Sequence, residues 1–416
     1  MSNHAEPGSR TGAHPARAGD IFGKAYSSAA LARVEEAEAV GVYPYFKPIS
    51  EQRGGTAVVD GREMIVTGSN DYLGLTQDPR LKQSAIAALE NLGTSCTGSR
   101  FLTGTLTLHE ELERRLARFL RKEEALTFST GFLGSLSVLA ALTGRQDILY
   151  FDRENHASLY DGARLSFGTL RKYRHNDPED LERLLRKDAG RPGGRMVVTD
   201  GVFSMSGHVA ELPEIVRVAR EHGARVLVDD AHATGVLGET GRGTAEHFGL
   251  EDEVDLILGT FSKSFASVGG FVAGPREVVR YIKHHARPFI FTAAPPAMQV
   301  AVTLKALEIM ETEPAHREMV LSNAERLRRG LEGLGFDTLG SRTQIVPVLI
   351  GPDELTVYFW KALWEAGVFT TPALPPGVPA NGSLIRTSVN ANHTPEQIER
   401  LIETFAAVGR RLGVIG

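Results

Sequence analysis

The side chains best placed to do chemistry sit where apolar runs end. Val228-Asp-Asp-Ala-His232 closes one run with two acids and a histidine. In open α/β sheets ligands bind beyond the carboxyl ends of the strands, and a carboxylate desolvated there requires a cationic partner. The alternative is simple capping, with Asp230 closing whatever helix follows. Gly259-Thr-Phe-Ser-Lys-Ser264 follows Val254-Asp-Leu-Ile-Leu258 in the same manner, with Gly269-Gly270 just beyond. Desolvation would lower the pKa of such a lysine, and a neutral amine attacks aldehydes; otherwise Lys263 is a solvated loop residue. Phe128-Ser-Thr-Gly-Phe132 opens an apolar helical run to Leu142, offering unpaired N–H groups and a favourable dipole to a phosphate. Asn155-His-Ala-Ser158 places an imidazole that can stack on a flat ring, act as acid or base, or be structural.

Together these four segments meet the needs of one ligand. A carboxylate suits a ring nitrogen, an amine suits an aldehyde, a helix N-terminus suits a phosphate and an imidazole suits a ring face. That ligand is pyridoxal 5′-phosphate (PLP), which requires a Schiff-base lysine and an acid at its pyridinium nitrogen. No phosphate loop of the nucleotide-triphosphate type and no Gly-x-Gly-x-x-Gly opens the sheet, so nucleotide readings lose ground. His109-Glu-Glu lacks the second histidine of a zinc motif, and His284-His285 lies in a basic stretch expected at the surface.

The elements that must hold these residues alternate. After residue 79, strand-like apolar runs at 125–129, 148–151, 195–199, 225–228, 256–259 and 271–273 are interspersed with helical patterns such as 212–222. This predicts a mainly parallel sheet with helices on both faces. Residues 21–40 read as helical, 41–48 as a proline-stiffened arm and 56–67 as a hairpin. Pro288 to Pro296 reads as a boundary, followed by helices at 297–311, 354–366 and 395–412 and a strand at 345–350. The expected organisation is a disordered tail over 1–20, an N-terminal helix, arm and hairpin over 21–78, a large cofactor-binding domain over 79–295 and a small α/β domain over 296–416.

Lys plus Arg number 46 against 51 for Asp plus Glu, a formal net charge of −5. That balance argues against nucleic acid as a partner. The single cysteine, Cys96, excludes an intrachain disulfide and fits a reducing cytoplasm. No run of 18 apolar residues is present, which leaves membrane contact at most peripheral. The first twenty residues lack the apolar core of a secretory signal.

In combination, Asn70-Asp-Tyr-Leu-Gly-Leu75, Gly93-Thr-Ser-Cys-Thr-Gly-Ser-Arg-Phe-Leu-Thr-Gly-Thr105, His156, Asp200-Gly-Val-Phe-Ser-Met205, Asp229-Asp-Ala-His232 and Thr260-Phe-Ser-Lys-Ser264 resemble the α-oxoamine synthases. These fold-type I PLP enzymes condense an amino acid with an acyl thioester and release CO2. The likeness runs from about Val42 to the C-terminus. The arm Gly41-Val-Tyr-Pro-Tyr-Phe and the segment Ser99-Arg-Phe-Leu-Thr-Gly look most like those of bacterial serine palmitoyltransferases. The resemblance implies that Lys263 carries the cofactor aldehyde, that Asp229 pairs with the pyridine nitrogen and that His156 stacks on the ring. It puts His232 and Ser204 near the ring hydroxyl. Gly131 and Phe132 would supply phosphate amides, with Thr260 and Ser262 nearby and Thr292 reaching in from the other subunit of a homodimer. Asn70 and Arg386 would face the amino-acid carboxylate.

One departure stands out. Several members carry an arginine just before a Pro-Pro pair, where this chain has Leu374, and this favours Arg386 for the carboxylate. The expected reaction joins L-serine to a long-chain acyl-CoA or an acyl carrier protein thioester. The alternatives are 8-amino-7-oxononanoate synthase, 2-amino-3-oxobutyrate CoA ligase, 5-aminolevulinate synthase, a natural-product α-oxoamine synthase, an aminotransferase, or a non-catalytic partner subunit.

Overall fold

The computed structural model describes residues 20–416, so the expectation of a disordered tail falls, but for its last residue, outside the described residues. The chain divides into two units, one ending at Phe46 and one starting at Lys47. The first holds the helices Gly23–Tyr26 and Ala29–Ala39. The second of these is capped by the Ser28 hydroxyl, which accepts the Leu31 amide. An extended arm follows, in which the Tyr43 ring meets Tyr45 edge-on and stacks on Phe46.

The second unit opens with a meander of β1 (Ile49–Arg53), β2 (Thr56–Val59) and β3 (Arg62–Val66). The hairpin over 56–67 is as expected. β1 is exposed along its whole length, so it left no apolar alternation to read. The main sheet contains β4 (Glu124–Phe128), β5 (Ile148–Asp152), β6 (Thr169–Tyr173), β7 (Arg195–Asp200), β8 (Arg225–Asp229), β9 (Leu256–Thr260) and β10 (Gly270–Gly274). Its order is β4-β10-β9-β8-β7-β5-β6. All strands run parallel except β10, which is antiparallel to both its neighbours.

Burial on two sides explains the unbroken apolar runs. Ile148, Tyr150, Val197, Val226 and Val228 feed one core, while the alternating Leu149, Phe151, Val198 and Leu227 feed another. Each face is therefore covered, and β5, β7 and β8 all end in an aspartate on the same edge: Asp152, Asp200 and Asp229.

The C-terminal part holds β11 (Ile345–Gly351), β12 (Val368–Phe369), β13 (Thr371–Ala373) and β14 (Ser383–Ser388). β11, β14 and β13 form an antiparallel sheet in that order. β12 instead pairs parallel with β3, and the Ser388 amide donates to the Thr67 carbonyl. These links run the segment after β3 alongside β14. The helix Ala315–Gly333 has no counterpart among the sequence expectations, although its buried Val320, Ala324, Leu327 and Leu331 fall at helical spacing.

Candidate active site

A cavity of about 310 Å³ opens at the carboxyl edge of the main sheet, where such folds bind ligands. Lys263, Asp229, His156, His232, Gly131, Phe132, Thr260 and Ser262 all line it. Strands β8 and β9 deliver Asp229 and Thr260 as their last residues. Lys263 follows in a tight loop, where Ala266 takes a left-handed φ of 51°, a strained conformation typical of functional loops. Burial lowers the Lys263 amine to about 8, against the opposing charge of Asp229. It therefore lies within reach of the neutral, nucleophilic form.

Asp229 Oδ1 accepts the Ala231 amide. Its neighbour in register, Asp200, is fully buried and accepts the His156 amide. Burial, and then the charge of Asp229, push Asp200 well above the carboxylate range. Asp230 is turned the other way: its oxygens accept the Thr244 amide (2.9 Å) and hydroxyl (2.7 Å), so it caps the helix Thr244–Phe248. Asp230 thus takes the capping role, while Asp229 faces the cavity.

His156 stands at the start of the helix Ala157–Leu165, and its Nδ1 accepts the Ser158 amide. Burial pushes its pKa down, so the neutral ring carries its proton on Nε2. The helix Gly131–Leu142 begins at the cavity wall. Thr130 caps it by accepting the Leu133 amide, which leaves the Gly131 and Phe132 amides without partners among the described residues. Thr260 and Ser262 hydroxyls lie 2.8 Å apart beside them. A Cβ on Gly131 would fall 2.9 Å from the Thr260 side chain, so a larger residue would crowd this cradle.

A second group adjoins the first. The Tyr72 hydroxyl lies 2.6 Å from His232 Nδ1, 3.1 Å from Asn70 Oδ1 and 3.4 Å from Arg386 Nη2. Arg386 also donates to Asn70 Oδ1 at 2.9 Å and to the Ser204 carbonyl at 2.7 Å. Arg386 is only 7% exposed, yet among the described residues no carboxylate forms an ion pair with it. Burial, then the positive charge at Lys263 and Arg386, push His232 well below the histidine range.

Arg386 thus joins Asn70 and Ser204, and Tyr72 ties the group to the cavity through His232. Thr292 lies apart, on a small separate recess with Arg100, Ser129 and Leu133. Sequence reasoning missed Tyr72 and Asp200 as site residues. Tyr72 lay inside the quoted Asn70–Leu75 motif, and Asp200 ended a strand just as Asp229 does.

The donor set fits PLP. An amine and a carboxylate share the cavity, an imidazole lines it, and free amides with two hydroxyls form an anion cradle of the kind that binds phosphate. Fold and cavity together define a fold-type I PLP enzyme. Residues 62–405 match the aminotransferase class I and II family. The chain is 47% identical over 375 residues to a serine palmitoyltransferase of Sphingobacterium spiritivorum, covering 90% of this chain and 94% of the relative. It is 43% identical over 383 residues to an 8-amino-7-oxononanoate synthase of Thermoanaerobacter pseudethanolicus, covering 92% and 97%. A solved serine palmitoyltransferase from S. paucimobilis with a bound PLP–myriocin aldimine superposes with a TM-score of 0.92 at 36% identity, covering 95% of this chain and all of that one. The chain belongs to the aminotransferase class I and II family and, within it, to the PLP-dependent α-oxoamine synthases.

Proposed function

We propose that this enzyme condenses L-serine with a long-chain acyl-CoA, releasing CO2 and giving an α-amino ketone, the reaction of a serine palmitoyltransferase. The observation that carries an amino-acid substrate is Arg386, a buried guanidinium with Asn70 and Tyr72 beside it and, among the described residues, no carboxylate paired to it. A buried charge without a counterion is costly, and a substrate carboxylate supplies one. Serine is supported by the serine palmitoyltransferases named above and by a further one, from Bacteriovorax stolpii, at 46% identity.

Bound in the cavity, PLP supplies an electron sink for negative charge at the amino-acid α-carbon. Asp229 would hold a proton at the pyridine nitrogen. Gly131 and Phe132 amides, with Thr260 and Ser262, would hold the phosphate, His156 would serve the ring face, and His232 and Ser204 would serve the ring hydroxyl. Lys263 Nζ takes the α-proton as a neutral amine. Arg386 and Asn70 orient the carboxylate, and His156 Nε2–H donates to the carboxylate or to the thioester oxygen. Thr292 reaches the phosphate of a second copy in a homodimer, and the enzyme works in the cytoplasm. Among the described residues no helix is long and apolar enough to cross a membrane.

A second reading, alanine with a pimeloyl thioester, is favoured by the 43% identical 8-amino-7-oxononanoate synthase. Mass spectrometry of products from serine, alanine and glycine, each with short and long acyl-CoAs, separates the two. The expected result is a long-chain amino ketone from serine. A product confined to alanine and the pimeloyl thioester would replace the reading.

A further inference from the structure

Outside the cavity, hydrogen bonds join three segments distant in sequence. The buried Asp152, last residue of β5, lies 3.0 Å through Oδ1 from His175 Nδ1. Its oxygens also accept the Glu154 and Asn176 amides. His175 Nε2 lies 2.9 Å from His208 Nδ1, and His208 Nε2 lies 2.8 Å from the Leu339 carbonyl. Each of these contacts needs a hydrogen. A carbonyl and an ionised carboxylate only accept, so hydrogens must sit on His208 Nε2 and His175 Nδ1, and a third must lie between the rings. Two neutral imidazoles carry only two such hydrogens, so the pair holds one extra proton and is a cation.

The charged groups acting on His175 are Asp152 and Glu154, the latter 3.6 Å from Nε2. Burial disfavours its charged form, but the bond to Asp152 and the two negative charges outweigh burial and leave its pKa raised. The C-terminal segment presents the Leu339 carbonyl to the pair.

His208 ends a tight turn. The Phe203 amide donates to the His208 carbonyl, and the Gly207 amide donates to the Phe203 carbonyl. The Gly207 carbonyl accepts the Ser341 and Thr343 hydroxyls, and a Cβ on Gly207 would fall 2.4 Å from Ser341 Oγ. The same turn carries the Ser204 carbonyl that takes Arg386 Nε.

We propose that the protonated His175–His208 pair is a positioning device for the substrate carboxylate, fixing the turn 203–208 so that the Ser204 carbonyl sets the orientation of the Arg386 guanidinium. This rests on the reading of Arg386 as the carboxylate-binding group. His175 and His208 touch no substrate; they act through the turn.

The test compares holoenzyme variants. His208→Phe keeps a ring but removes both bonds. His208→Gln keeps one acceptor and one donor. His208→Phe should raise the amino-acid KM about tenfold, the size of a lost charge-assisted hydrogen bond, with a smaller change in kcat and an unchanged thioester KM. His208→Gln should recover most of the loss. In the unaltered enzyme the amino-acid KM should stay low while the extra proton is held and climb as pH rises through the raised pKa of His175. His208→Phe should lack that climb, whereas effects of Lys263 titration appear in both proteins.

An unchanged amino-acid KM in His208→Phe would overturn the proposal. So would a parallel rise of both KM values without recovery in His208→Gln. Nitrogen-15 spectra of the unaltered holoenzyme give a check independent of any variant: two rings with neutral-imidazole shifts at neutral pH would overturn it too. Arg386→Lys separates the two levels. If it raises the amino-acid KM while His208→Phe does not, only this proposal fails; if it leaves that KM unmoved, the carboxylate reading fails with it.

Discussion

The amine of Lys263 is set by opposing influences. Burial pulls it down, the Asp229 charge holds it up and the Arg386 charge pulls it down, leaving it at about 8. Cofactor-stripped protein should therefore recapture PLP at a rate that rises with pH through about 8, as the ammonium gives up its proton. Asp229→Asn removes the charge that favours the ammonium, so the midpoint should move down. Visible absorbance during reloading across a pH series measures this, and an unmoved or higher midpoint would show that Asp229 does not act on the amine. Lys263→Ala should lower kcat by at least about a thousandfold, since nucleophile and base are lost together. It should also abolish the borohydride-fixable attachment of the cofactor, detectable by mass spectrometry of the intact chain. Loss of turnover with attachment retained would move the covalent role to another lysine.

At the level of elements, the end of β8 shows what strand geometry adds to sequence. Adjacent side chains of a strand point to opposite faces, so Asp229 enters the cavity and Asp230 meets Thr244. Glycines leave the space: a Cβ at Gly201 or Gly243 would fall 2.0 or 2.2 Å from the Asp230 oxygens. Burial raises the Asp230 carboxyl from 3.8 to about 7 despite its bonds to Thr244. The folded state then holds this proton longer than the unfolded chain does. Its contribution is most favourable at low pH and is lost as pH rises from about 4 to about 7. Asp230→Asn keeps the acceptor for the Thr244 amide and does not titrate. The thermal midpoint should decline less steeply over that interval in the variant than in the parent; equal slopes would mean that Asp230 is ionised throughout.

The same geometry explains which elements could be read beforehand. β5, β7, β8 and β9 are buried enough to be unbroken apolar runs, and their ends marked the site. β6, Thr-Leu-Arg-Lys-Tyr at the sheet edge, is too polar and exposed to signal itself, and β12 and β13 are only two and three residues long. Tyr72 is one phenol in a polar stretch, and nothing in its neighbours tells that it bridges His232 and Arg386. The missing counterion of Arg386 is a property of three dimensions alone.

At the scale of the whole molecule, the cavity draws on residues from 130 to 269, while Asn70 and Arg386 come from near the two ends of the chain and Thr292 stays outside. The segments around Thr292 are distinctive. Ser99 bridges to Ala293, the Ala294 amide donates to the Gly98 carbonyl, and Phe101, Leu102 and Phe291 nearby are 50%, 76% and 72% exposed. Large apolar side chains at such exposure are suited to cover by another chain, and in the homodimer proposed above each Thr292 would reach the other copy's cavity. Mixing two defective proteins decides whether it arrives. Lys263→Ala lacks the amine, and Thr292→Glu would set a carboxylate against the phosphate, so each alone should be nearly inactive. In a mixed dimer, the chain that keeps Lys263 receives an intact Thr292 from its partner. Random reassortment should therefore restore about a quarter of the parent activity, half the dimers each having one complete site. No recovery after subunit exchange, with exchange verified by a mass tag on one chain, would place Thr292 outside the partner's site.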